Sequence, residues 1–131
     1  MDQRMKIGEV ADRVGLSLRT IRFYEEAGLV TPDARSAGGF RLYTDAAVER
    51  LKLIRTMKPL DFTVEEISDV LNSLDTVTSA RTTPAERREA SEHLAAVCDL
   101  IDERVPRLLE RAERGRELGR MLRGFRDQPE E

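Results

Sequence analysis

The sequence predicts a mainly α-helical chain on three observations. Apolar residues recur at spacings of three and four along most of its length, the period of a helix with one buried face. Of its 131 residues 36% are charged and only 5% aromatic, with no tryptophan. That balance suits charge-laced helices better than a β-sandwich, whose core leans on aromatic and β-branched side chains. Finally, Ser17, Thr44 or Asp45, Thr63 and Thr83 each stand just ahead of a periodic stretch, where a helix N-cap belongs.

Taken in order, Ile7, Val10, Ala11 and Val14 mark one face of a short helix between Lys6 and Gly15, with Gly15 at its C-terminal cap. Ser17 caps a second helix through Ile21 to about Ala27, stopped at Gly28; Ile21 and Phe23 are expected in the core. Residues 29–43 lose the helical period. Their ends are β-prone and Gly38-Gly39 is a hairpin signal, so a two-stranded ribbon is expected, packed on the helices because a lone hairpin is marginal. In its second strand Arg41 and Tyr43 alternate with Phe40 and Leu42, and the apolar pair is expected to face inward.

A third helix carries Val48, Leu51, Ile54 and Met57 and ends at Pro59. Thr63 with Glu66 makes a capping box for a fourth, carrying Ile67, Val70, Leu71 and Leu74. The expected organisation is a domain over 1–75, a polar linker at 76–83, a long helix over 84–126 and an acidic tail at 127–131. Thr83-Pro84-Ala85-Glu86 opens the long helix with a second capping box and proline at its first position. Its stripe is Leu94, Val97, Cys98, Ile101, Val105, Leu108, Leu109 and Ala112. A helix of about 40 residues runs about 60 Å, too long for one small body to cover, so the stripe is expected to meet a second chain in a coiled coil. Pro106 is expected to kink or break it.

Several classes are excluded. No apolar run approaches the roughly 18–20 residues that span a bilayer, and the first six residues are too polar for a signal peptide. Cys98, the only cysteine, cannot form an internal disulfide, and one His with one Cys makes a poor zinc site. The chain reads as cytoplasmic, without metal or cofactor. An enzyme is not expected either, since there is no glycine-rich phosphate loop and no defensible carboxylate pair. Net charge is +3 over residues 1–58 and −6 over 59–131. Arg19 and Arg22 lie between Ser17 and Tyr24, and Arg35 and Arg41 between Ala34 and Tyr43, with no acid in either stretch. Placed contacts fit this better than general basicity.

Two short helices joined by a glycine turn outline a helix-turn-helix, whose second helix can enter a major groove. The residues Ile7-Gly8-Glu9-Val10-Ala11, Gly15-Leu16-Ser17 and Arg19-Thr20-Ile21-Arg22-Phe23-Tyr24-Glu25-Glu26-Ala27-Gly28-Leu29-Val30 carry more than that outline. With Pro32, Arg35-Ser36, Gly39-Phe40-Arg41-Leu42-Tyr43-Thr44 and Phe62-Thr63-Val64-Glu65-Glu66-Ile67, they resemble the MerR family of bacterial transcription regulators in order and spacing. The resemblance covers about the first 75 residues. One departure is Leu60-Asp61-Phe62, where the family commonly has Leu-Gly-Phe.

The resemblance implies a winged helix-turn-helix domain followed by a long antiparallel coiled-coil dimerisation helix. It also implies a homodimer that binds an inverted repeat in double-stranded promoter DNA, bends and untwists it, and so acts on RNA polymerase indirectly. The residues fit such a role. Ser17 leaves backbone donors near a phosphate, Arg19 and Arg22 can grip phosphate or guanine, and Thr20 can touch a thymine methyl. Tyr24, Arg41 and Tyr43 are expected at the DNA, Arg35 at its backbone or minor groove, and Lys58 at flanking phosphate, although Lys52, Arg55 and Lys58 together read more readily as a solvated charged face. MerR-like metal sensors carry cysteines at the start of the dimer helix and beyond its end. Here Thr82, Thr83 and Pro84 stand at the first place, and no Cys or His follows Met121, so the thiolate set is missing. Drug-binding members have a further C-terminal domain, for which too few residues follow the helix. The effector stays unknown. Cys98, on the stripe, is expected to be a buried hydrophobe. An architectural or recombination accessory protein and a protein-interaction scaffold are the competing readings.

Overall fold

Ser17, Thr44 and Thr63 accept hydrogen bonds from backbone N–H groups three residues on and open three of the helices in this computed structural model. It describes residues 4–32, 34–35 and 38–130. Such a cap contributes about 1 kcal/mol, because it satisfies an N–H that the first turn leaves without a partner. Thr63 and Glu66 close a full capping box. The chain divides into two units, the first ending at Leu94 and the second beginning at Ala95.

In the first unit β1 (Met5–Lys6) leads into α1 (Ile7–Val14) and α2 (Leu18–Glu26). Between these helices Gly15 adopts φ 70°, a left-handed conformation that a side chain disfavours, and its N–H closes on Ala11 O at 2.9 Å. Next come β2 (Ala34–Arg35), β3 (Arg41–Tyr43) and α3 (Asp45–Met57). The sheet has three strands in the order β1-β3-β2, all antiparallel, with Met5 opposite Tyr43 and Ala34 opposite Leu42. The expected two-stranded ribbon therefore gains a third strand. β1 is too short to show a period, yet it pairs the open edge of β3 and stabilises a hairpin that is marginal alone. Residues 36 and 37 lie outside the described residues.

A 3₁₀ turn (Lys58–Leu60) ends α3 at Pro59, and Asp61 then takes φ 62°. A left-handed residue thus stands where the resemblance has glycine, and aspartate is among the few other residues that tolerate it. Helix α4 (Val64–Thr78) runs past the expected boundary at 75, so the connection to α5 (Pro84–Arg126) is 79–83 rather than 76–83. Met5, Val10, Val14, Ile21, Leu29, Val30, Tyr43, Leu51, Ile54, Ile67 and Leu71 form the core at 2% exposure or less. Arginines on α3 tie the helices together. Arg55 donates to Val14 O, an open carbonyl at the end of α1. Arg50 donates from Nε to Leu29 O at 2.6 Å and from its terminal nitrogen to both oxygens of Asp75 on α4. The first turns of α5 also belong to this unit, with Ala90 buried at 7% exposure.

The second unit is the rest of α5 and the residues after it. Pro106 lies inside the helix without breaking it. Proline removes one N–H, which would have bonded to the carbonyl of Asp102; the helix spans 43 residues, so intact turns flank the gap on both sides. Among the described residues no helix is long and apolar enough to cross a membrane.

Candidate nucleic-acid interface

Helix α2 presents a cationic face whose support comes from within the first unit. At 100° per residue Arg22, Arg19 and Phe23 fall within an arc of about 100°, opposite the buried Ile21 and Tyr24. Arg19 and Arg22 are exposed, and neither forms an ion pair among the described residues. Ser17 is spent on the cap: its Oγ accepts from Thr20 N at 3.1 Å and donates to Thr20 Oγ1 at 2.8 Å. Thr20 is half-buried there. Phe23, expected in the core, is instead 51% exposed, because the buried arc of so short a helix is already filled by Ile21 and Tyr24.

The two tyrosines expected at the DNA are core residues. Tyr24 is 3% exposed, with its ring tilted 60° to that of Phe23 at 5.7 Å. Tyr43 is 0% exposed and donates its hydroxyl to Glu25 Oε2 at 2.5 Å. Burial, then the Glu25 carboxylate, push the Tyr43 phenol far above its ordinary value; burial alone raises Tyr24.

The faces of β3 are therefore the reverse of those expected. Tyr43 points inward, and Arg41 on the same side brings Nε 2.7 Å from Glu25 Oε1. This contact is an ion pair rather than an aligned hydrogen bond, since the buried Nε–H is not directed at the oxygen. Phe40 is 60% exposed, under the Lys6 ammonium at 4.8 Å from its ring centre. Alternation along a strand separates two faces without saying which is inward. Glu25 decides it, by supplying the acceptor for the buried Tyr43 hydroxyl and a counter-charge for the Arg41 guanidinium. That residue, 14% exposed at its side chain, holds the wing against α2, and nothing in the spacing marks it.

Arg35 lies in β2, but its side chain is outside the described residues. Lys58 is exposed on the 3₁₀ turn. Lys52 pairs with Glu49 at 3.2 Å, and Arg55 is held by Val14, so the expected charged face is partly engaged. Away from α2, a cleft of about 490 Å³ lies between α4 and the start of α5, where His93 Nδ1 sits 2.6 Å from Ser73 Oγ.

On α5 the expected stripe divides by exposure. Leu94, Val97, Ile101 and Leu108 are half-buried; Cys98, Val105, Leu109 and Ala112 are exposed. Cys98 is thus not buried in the single chain. Leu118, Met121, Leu122 and Phe125 are also exposed, at 50–65%, and extend the apolar surface beyond the sequence reading. Leu122 stands 14 residues after Leu108, and the missing signal between them is Gly115.

Comparison with known proteins identifies the family. Residues 5–74 match the family described as "MerR HTH family regulatory protein", and residues 48–114 that described as "MerR, DNA binding". The mercuric resistance operon regulatory protein of Bacillus cereus is 40% identical over 72 residues, covering 55% of this chain and 54% of that one. The HTH-type transcriptional regulator YfmP of Bacillus subtilis is 38% identical over 112 residues, covering 77% and 80%. Among solved structures HiNmlR, a MerR family regulator lacking the sensor domain and bound to promoter DNA, has a TM-score of 0.65 over 94% of this chain and 90% of that one. Its identity of 20% makes this a likeness of fold. The chain spans about half the length of the first curated relatives it matches. With the family match extending over more than half of its residues, the chain belongs to the MerR family of helix-turn-helix regulators.

Proposed function

We propose that the chain is a homodimeric, sequence-specific transcription regulator that works in the cytoplasm and carries out no catalysis. The observation that carries this is the face of α2, where Arg19 and Arg22 stand exposed, without an ion pair among the described residues, beside a wing braced by Glu25. The described side chains leave that charge uncompensated, and phosphate or guanine supplies what is missing. Helix α2 enters the major groove, while Arg35 and the outer nitrogens of Arg41 approach the flanking backbone. Two half-sites in an inverted repeat are bound at once, and the base pairs between them are deformed at a cost set by their sequence. Polymerase then meets a promoter of altered twist.

The stripe from Leu94 to Ala112, continued by Leu118, Leu122 and Phe125, supplies the dimer contact. Charge along α5 supports an antiparallel pairing. Residues 86–103 carry a net charge of −4 and residues 104–126 a net +5. Antiparallel chains lay the acidic half on the basic half, whereas parallel chains oppose like charges throughout. The fold and the charge pattern leave the effector unspecified.

The deciding experiment is selection of duplexes from a randomised pool by the full chain, followed by mapping of occupied promoters. An inverted repeat within promoter DNA is expected. Binding to all duplexes alike would refute sequence-specific regulation and favour an architectural role.

A further inference from the structure

We propose that Phe23 is a base-reading contact of α2, with its ring packed on the C5-methyl group of a thymine in the major groove. The inference rests on the DNA-binding reading above and adds to it a residue and a ligand chemistry.

The geometry leaves little choice about where Phe23 points. It is one turn from Arg19 and one residue from Arg22, in the same solvent-facing arc. Any approach that brings both guanidinium groups to a duplex brings this ring with them. The ring is 51% exposed, and its neighbours on that arc are the two arginines, neither of which forms an ion pair among the described residues. Its ring centre lies 5.7 Å from that of the buried Tyr24, with the two planes tilted by 60°. A phenyl ring has no donor or acceptor, so it cannot hold phosphate. In the major groove the apolar group offered by a base is the thymine methyl, and burying it against the ring excludes water from both. Thr20, the other residue short enough to touch that methyl, is half-buried and bonded into the cap with Ser17.

The test uses the full chain and the duplex it selects from a random pool. Each thymine of that duplex is replaced in turn by uracil, which lacks only the methyl, and binding is measured for wild type, Phe23→Ala and Phe23→Leu. Phe23 is exposed, so both variants are expected to melt with the wild type. Wild type should lose about fourfold in affinity at one thymine per half-site, the worth of one buried methyl. Phe23→Ala should bind the parent duplex more weakly and lose the dependence on that methyl, while Phe23→Leu keeps most of it. Uracil effects of equal size in wild type and Phe23→Ala overturn the inference, as does no uracil effect at all. In both cases selection of a sequence would still stand. If wild type selects no sequence, the function proposed above fails and this inference with it.

Discussion

Replacing Glu25 by alanine removes the link between α2 and the wing, and the structure sets the scale of the loss. Its Oε2 accepts from the hydroxyl of Tyr43, a residue at 0% exposure, so the substitution leaves a phenol O–H buried without a partner. A hydrogen bond to a charged acceptor is worth about 1.5–3 kcal/mol. The ion pair to Arg41 adds only about 0.5 kcal/mol, since the Arg41 side chain is 40% exposed and water screens it. The expected destabilisation is therefore about 2–3.5 kcal/mol. Urea unfolding at one fixed protein concentration measures it, because a dimer's apparent stability depends on concentration. Glu25→Ala, Tyr43→Phe and the double variant form a cycle in which the two losses should overlap by at least about 1 kcal/mol. Strict additivity, or a Glu25→Ala loss below about 0.5 kcal/mol, would refute the brace. DNA binding by Glu25→Ala should weaken as well, since β3 then holds Arg41 less firmly.

Other outcomes follow from the same geometry. Arg19→Ala and Arg22→Ala should each weaken binding, and a phosphate contact should lower the slope of log K against log salt by about 0.9; unchanged affinity across salt concentrations would remove that residue from the interface. Ile101→Glu with Leu108→Glu should sediment as a monomer, and a persistent dimer would show the stripe to be misplaced. Mild oxidation should not join wild-type dimers through Cys98, because antiparallel pairing sets the two copies far apart along α5, whereas a Cys98-dependent covalent dimer would mean parallel chains. Asp61→Gly should be more stable than Asp61→Ala by about 1 kcal/mol, since both lose the carboxylate and only alanine keeps a Cβ at φ 62°; equal stability would refute backbone strain there. The folded state holds the Tyr43 proton more tightly than the unfolded chain, so this contribution to stability is whole below pH 10.0 and is lost as pH rises above it. Tyr43→Phe should flatten that alkaline decline, and an identical decline would refute the assignment.

The elements legible in the sequence are those whose cause is local. Ser17, Thr44 and Thr63 each bond to an N–H three residues away, and Gly15 answers a requirement of its own φ. Spacing reports such causes, because donor and acceptor lie within one turn. Pairing over a distance leaves no such trace. Arg50 reaches Leu29 and Asp75, 21 and 25 residues off, and Glu25 reaches Tyr43 across 18, so none stood out from an ordinary charged face.

The candidate site follows the same division. Exposure of Arg19 and Arg22 follows from the helical period once Ile21 is placed inside, whereas the same helix holds Phe23 at the surface and Tyr24 in the core, the reverse of what was expected of them. The two strand faces of the wing could not be ranked this way. Hydrophobicity favours Phe40 and Leu42 as the inner pair, and it would win if the space beneath β3 were apolar. That space holds a carboxylate instead, so the inner face is the one able to donate to it, and Phe40 is left to the surface beside Lys6. Polar complementarity across 18 residues thus outranks the hydrophobic pattern of a three-residue strand, where too few side chains alternate for burial to dominate. The same reasoning applies to Phe23. A helix of nine residues has room for few inward positions, and a phenylalanine outside that arc stays at the surface however apolar it is, available to the groove that its neighbouring arginines approach.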